Sequence, residues 1–168
     1  MGDVAMTVPV LRALLAQHPE VRLTVISRPF FAPLFKDLPR TDFFAFDAHN
    51  RHKGVLGLLQ LYWDLKPLQI DYFADLHNVL RSKFIRSRFA IRGTKTAATD
   101  KGRAEKKVLT QAQNKVFKPL KTMYERHAQT FAQLGFEIDL SHPVFPKQAH
   151  CILINYQQCK YTMELLVE

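Results

Sequence analysis

Apolar residues recur at steps of three and four from the start of the chain. Val4, Val8, Leu11, Leu14 and Leu15 fall on one helical face, so the chain should open with a half-buried helix. A β-branched run at 21–26, bounded by His18-Pro19 and Arg28-Pro29, predicts a parallel strand. Residues 30–35 suit a short helix with its Phe and Leu side chains turned inward, and 43–46 a second strand. Helical spacing returns over 55–65 through Val55, Leu58, Leu59 and Tyr62. Residues 70–76 read as a strand ending in an acid. A helix with a basic face is predicted over 79–89, a short strand over 89–93, and a helix over 122–134 that Gly135 stops. The stretch 94–115 is rich in Lys, Thr and Ala and poor in large apolar residues, which predicts a loop with some helix. Residues 143–146 read as an extended linker. There is no internal repeat.

Strands alternating with helices across short turns predict an α/β fold built on a doubly wound parallel sheet. At 168 residues the chain is one domain by length, and 47% hydrophobic residues suffice for a real core.

Charge narrows the partners. The chain has 24 Lys and Arg against 15 Asp and Glu, a formal +9. The excess is concentrated in 81–126, where fourteen Lys and Arg stand against three acids. That segment is net +11, so the remainder is slightly acidic. Such a run is either a solvated face or a surface for phosphate, nucleic acid or acidic lipid headgroups. Cys151 and Cys159 have the spacing of neither a zinc site nor a redox pair, which fits a reduced, cytoplasmic setting. No apolar run approaches the ~18 residues needed to span a bilayer. No signal peptide precedes the first helix, so any membrane contact is expected to be peripheral. Metal-ligand spacing, a P-loop and a nucleophile elbow are all missing from the pattern, and no metal or cofactor is expected.

Three stretches carry candidate chemistry. In Gly2-Asp3, the glycine would let the backbone turn tightly and the carboxylate would fall at a helix N-terminus. Asp3 is then either an N-cap or a carboxylate held at a loop–helix junction as a general base. In Asp75-Leu76-His77-Asn78-Val79-Leu80-Arg81-Ser82, the residues follow a predicted strand, and the C-terminal ends of parallel strands form the ligand edge of such sheets. Asp75 could cap a helix, hydrogen-bond within the loop, or face the cleft. His77 is either a polar loop residue or an acid–base group. Arg51-His52-Lys53 is a smaller basic loop that could join Arg81 and Lys83 in lining a groove.

Gly2-Asp3-Val4-Ala5-Met6-Thr7-Val8-Pro9-Val10-Leu11-Arg12-Ala13-Leu14 resembles the opening motif of the family 9 glycosyltransferases, the ADP-heptose:lipopolysaccharide heptosyltransferases. Asp75 to Ser82 resembles that family's Asp-Leu-x-Gly-x-x-Arg-Ser turn, with Asn78 at the Gly position. Asn tolerates the left-handed conformation, so the turn can survive. Tyr124-Glu125-Arg126-His127 opens a helix like the one before the family's Leu-Gly stop, here Leu134-Gly135, and is expected to do mostly packing. The resemblance runs to about Pro146. It implies the N-terminal, acceptor-binding, Rossmann-like half of a GT-B enzyme over 1–147, followed by an unmatched tail over 148–168. It also implies a first strand upstream of Gly2, so the chain is expected to be a fragment, inactive by itself. Asp3 would be the catalytic base. Gly2, Arg51, Lys53, His77, Arg81, Ser82 and Lys83 would bind the acceptor. The implied partners are ADP-heptose, held by the missing donor domain, and the anionic lipopolysaccharide core, met at the cytoplasmic face of a bacterial inner membrane. No nucleic acid is expected on this reading.

The competing reading is a non-catalytic basic Rossmann-like module for nucleic acid or anionic lipid. Charge supports it equally. An aromatic stacking platform is not evident, because most Phe residues fall at core-like positions.

Overall fold

The computed structural model describes residues 2–110 and 119–144. The expectations for 145–146, for the tail at 148–168 with its two cysteines, and for Lys115 and Lys118 lie outside the described residues.

The chain opens with a one-turn helix α1 (Gly2–Ala5), a break at Met6, and α2 (Thr7–Gln17). Pro9 accounts for the break. It has no N–H to offer the Ala5 carbonyl and its ring crowds that group, so it is tolerated only in the first turn of a new helix. Thr7 Oγ1 meanwhile donates to the Val4 carbonyl at 2.7 Å. Gly2 is itself helical, its φ is not left-handed, and a Cβ there would meet nothing. The tight turn expected of Gly2 is therefore not made, and Asp3 lies inside the first turn of α1 rather than capping it.

β1 (Leu23–Ser27) pairs in parallel with β2 (Thr41–Ala45), Leu23 opposite Thr41 through Ser27 opposite Ala45. A 3-10 segment, Pro29–Phe35, connects them; Phe35 is buried, but Phe30 turns outward instead of into the core. α3 (Gly54–Leu65) follows. Its buried face is Gly57, Leu61, Tyr62 and Leu65, so the apolar spacing that begins at Val55 is displaced and Val55 is exposed. β3 (Tyr72–Asp75) pairs in parallel with β4 (Lys95–Ala98) across α4 (Leu80–Ile91). α5 (Arg103–Thr110) and α6 (Met123–Ala132) complete the described elements.

The strand predicted over 89–93 is the last turn of α4 and its stop, where Gly93 takes φ +90°. The real strand lies a few residues on, inside the stretch read as a loop. Lys95, Thr96, Ala97 and Ala98 contain no large apolar side chain, so periodicity could not reveal it.

Where the pattern predicts one doubly wound sheet, the strands form two separate parallel pairs, β1–β2 and β3–β4. β1 and β3 are not hydrogen-bonded to each other. Both pairs nevertheless share two cores. On one side α2, Phe35, Leu38 and Phe131 of α6 pack with Val25, Phe43 and Ala74. On the other, Leu61, Tyr62 and Leu65 of α3 and Ile85 and Phe89 of α4 pack with Ile26, Phe44 and Phe73. Adjacent strand residues thus go to opposite faces, as pleating requires. No helix among the described residues is long and apolar enough to cross a membrane.

Candidate functional site

α6 is set by a capping box. Thr122 Oγ1 accepts from the Glu125 N–H at 3.3 Å, and Glu125 Oε2 accepts from the Thr122 N–H at 2.6 Å. From that start, Arg126, His127, Thr130 and Phe131 all turn inward. His127 is 1% exposed. Its Nδ1 lies 3.3 Å from Thr99 Oγ1, which in turn shares a 2.8 Å hydrogen bond with Thr130 Oγ1. Its Nε2 meets no hydrogen-bond partner among the described residues. Burial holds the imidazole below its ordinary pKa; the Asp3 carboxylate pulls it back up and Lys101 pushes it down. The neutral ring is thus favoured.

Thr99 follows β4 and ties this cluster to β3. Its N–H donates to the Asp75 carbonyl at 2.9 Å, and its own carbonyl accepts from Asn78 Nδ2 at 2.8 Å. Asp75 is 3% exposed, and its Oδ1 accepts the Asn78 N–H at 2.6 Å. Asn78 takes φ +44°, the left-handed turn anticipated for it. Asp75 Oδ2 has no hydrogen bond among the described residues and faces Arg86 at 3.6 Å. Of the roles open to Asp75, the loop hydrogen bond is the one it makes. A continuous polar chain therefore runs Asp75–Asn78–Thr99–His127.

The residues expected at an acceptor groove divide into two groups. Lys53, His77, Arg81 and Lys83 are exposed at the start of α3 or in the turn and first helical residues after β3. Arg81 lies over the Phe46 ring, 5.5 Å from its centroid, so the β2–α3 and β3–α4 connections share one edge. The others are engaged elsewhere. Arg51 donates two 2.7 Å hydrogen bonds to Asp64, which removes it as a free cation for a ligand. Asp64 also meets His52 Nε2 at 3.1 Å and Gln60 Nε2 at 2.8 Å. The Arg51 guanidinium, more than any other partner, holds the Asp64 carboxyl far below its ordinary range. Ser82 Oγ accepts the Val79 N–H at 2.9 Å and starts α4 instead of facing a groove. Gly2 offers only its helical backbone.

Arg126 is buried as well, donating to Glu105 Oε2 at 2.5 Å and to the Asp100 carbonyl at 3.3 Å, which removes it from the solvated basic face. No cluster of His, Cys, Asp or Glu suited to a metal is found among the described residues. An open depression lined by Lys121, Gln129, Asp139 and Leu140 includes none of the polar chain.

Reading the sequence missed Thr99 and assigned His127 to packing. The available signal was weak: His127 and Thr130 stand three apart on a helix whose other inward positions are Arg126 and Phe131. Compared with protein-family models, curated proteins and solved structures, the chain matches none.

Proposed function

We propose that the chain is the acceptor-side part of a sugar transferase of the family 9 heptosyltransferase kind, with Asp3 as the base. The observation that carries this is the turn Asp75–Ser82: Asp75 is buried at the end of β3, Asn78 takes the left-handed φ that the motif's Gly position calls for, and the turn is tied through Thr99 to His127. Two parallel strand pairs between the same two helical layers, with helices alternating between the strands, support a Rossmann-like reading.

On this reading Asp3 accepts the proton of an acceptor sugar hydroxyl as that oxygen attacks the anomeric carbon of ADP-heptose and ADP leaves. The anomeric centre inverts, and the step needs a base and a stabilised pyrophosphate. The second is the task of a donor-binding domain outside this chain. Lys53, His77, Arg81 and Lys83 meet the anionic groups of the lipopolysaccharide core by charge-assisted hydrogen bonds. Arg51 is excluded from that set by Asp64. The setting is the cytoplasmic face of a bacterial inner membrane.

The test joins the chain to an ADP-heptose-binding domain and measures heptose transfer to a core acceptor. Asp3→Asn should lower turnover by about 10²–10⁴-fold, the usual range for loss of a general base, with acceptor KM little changed. Transfer at the wild-type rate in Asp3→Asn would remove the base from Asp3.

A further inference from the structure

Three aliphatic side chains stand in solvent at the edge where β2 and β3 end. Val55 and Leu56, in the first turn of α3, are 69% and 82% exposed, and Leu80, the first residue of α4, is 86% exposed. α3 and α4 pack together through Leu61, Tyr62, Ile85 and Phe89, both helices start from the same edge, and Arg81 covers Phe46 just beyond β2. Lys53, Arg81 and Lys83 lie within three residues of Val55, Leu56 or Leu80 along the chain and are exposed. A lone exposed Leu is ordinary. Three aliphatic residues in the first turns of two helices that start from one edge, with exposed cations close to them in sequence on a chain of net charge +9, match what an anionic bilayer surface takes up: apolar tips into the acyl boundary, ammonium and guanidinium groups at the phosphates.

We propose that this edge docks the protein on a membrane surface rich in anionic lipid, with Val55, Leu56 and Leu80 entering the bilayer and Lys53, Arg81 and Lys83 at the headgroups. Charge complementarity and the aliphatic character of the tips argue for lipid over nucleic acid, which would be met by aromatic stacking platforms. The proposal extends the acceptor role above, since a lipid-linked acceptor would be met at the same edge. It requires no transfer chemistry.

The full chain is co-sedimented with vesicles of phosphatidylcholine alone and of phosphatidylcholine mixed with phosphatidylglycerol. Binding is expected to the mixed vesicles and to weaken with added salt, because exposed charges are screened within ~10 Å at 0.1 M. Leu56→Asn combined with Leu80→Asn should weaken it by about tenfold or more. Lys53→Glu with Lys83→Glu should weaken it and flatten its salt dependence. Ile91→Asn, at the opposite end of α4 and 80% exposed in the wild type, should leave binding unchanged. Circular dichroism checks each variant; if the double Asn variant unfolds, the lysine pair carries the test. Failure of the wild-type chain to bind mixed vesicles would overturn the proposal. So would unchanged binding by the folded variants, or binding to single-stranded nucleic acid in place of vesicles. The vesicles carry no saccharide, so a negative result here leaves the role of Asp3 standing, and a failed transfer assay leaves the docking edge standing.

Discussion

Replacing Gly57 by Ala sets helix propensity against packing. Gly57 lies inside α3 with ordinary helical φ, so propensity alone predicts that Ala stabilises by about 0.8–1 kcal/mol. Packing opposes this. A Cβ at Gly57 would collide with the His52 carbonyl carbon and lie 2.7 Å from its Cα and 2.8 Å from its carbonyl oxygen. These are backbone atoms and cannot swing aside. Moving them disturbs a well-tied residue: His52 Nδ1 accepts the Asp47 N–H at 3.0 Å, Nε2 meets Asp64 at 3.1 Å, and the ring stacks on Phe46 at 5.5 Å. Overpacking costs about 1–3 kcal/mol. Each strained hydrogen bond adds up to about 1 kcal/mol, more where the carboxylate is involved. The sum exceeds the propensity gain, and Gly57→Ala should destabilise by roughly 2–4 kcal/mol. At about 2–4 °C per kcal/mol for a chain of this size, Tm should fall by about 4–16 °C. Urea unfolding and thermal melts of wild type, Gly57→Ala and Gly135→Ala measure it. Gly135 is the reference, because it takes φ +99° with nothing near its would-be Cβ and should lose only about 1 kcal/mol of backbone strain. A Gly57→Ala protein as stable as wild type, or more so, would refute the close approach of α3 to the 47–53 loop.

Two further predictions concern protonation. Asp64 is held ionised by Arg51, His52 and Gln60, so its folded pKa lies below its unfolded one; the stability it contributes is present above about pH 4 and lost as pH falls through the folded value. Asp64→Asn should therefore be less stable than wild type near pH 7, by about 1–2 kcal/mol, and the gap between the two urea midpoints should close toward pH 2. His127 has a folded pKa below its unfolded value of about 6.5, so the unfolded chain binds the extra proton first and stability should decline as pH drops below ~6.5. Imidazole NMR should give a His127 midpoint below the ordinary histidine value, lowered further in Asp3→Asn because the Asp3 charge raises it; a midpoint at or above about 6.5 would contradict the buried, neutral ring.

Much of the local architecture was legible along the chain because its causes are local. Thr122 and Glu125, three apart, make the cap that starts α6, and Gly135 takes the left-handed φ that ends it. The opening apolar face at Leu11, Leu14 and Leu15 is buried as its spacing requires. Asn78 turns the chain after β3 because a short polar side chain tolerates positive φ better than most.

What the sequence determined by itself is therefore the α/β alternation, most helix positions, the turn after Asp75 and the basic balance. Each depends on neighbours a few residues apart. Tertiary structure decided the rest, because the partners are distant or the signal is absent. β4 exists through pairing with β3, not through any apolar pattern of its own. Arg51 is taken out of the groove by Asp64, thirteen positions away, and Gly57 matters only because the His52 backbone passes beneath it. His127 becomes a buried imidazole against Thr99 only when α6 packs on β3 and β4. Burial is a property of the packed surroundings, and no spacing rule along one helix can say which of its polar residues will lose water.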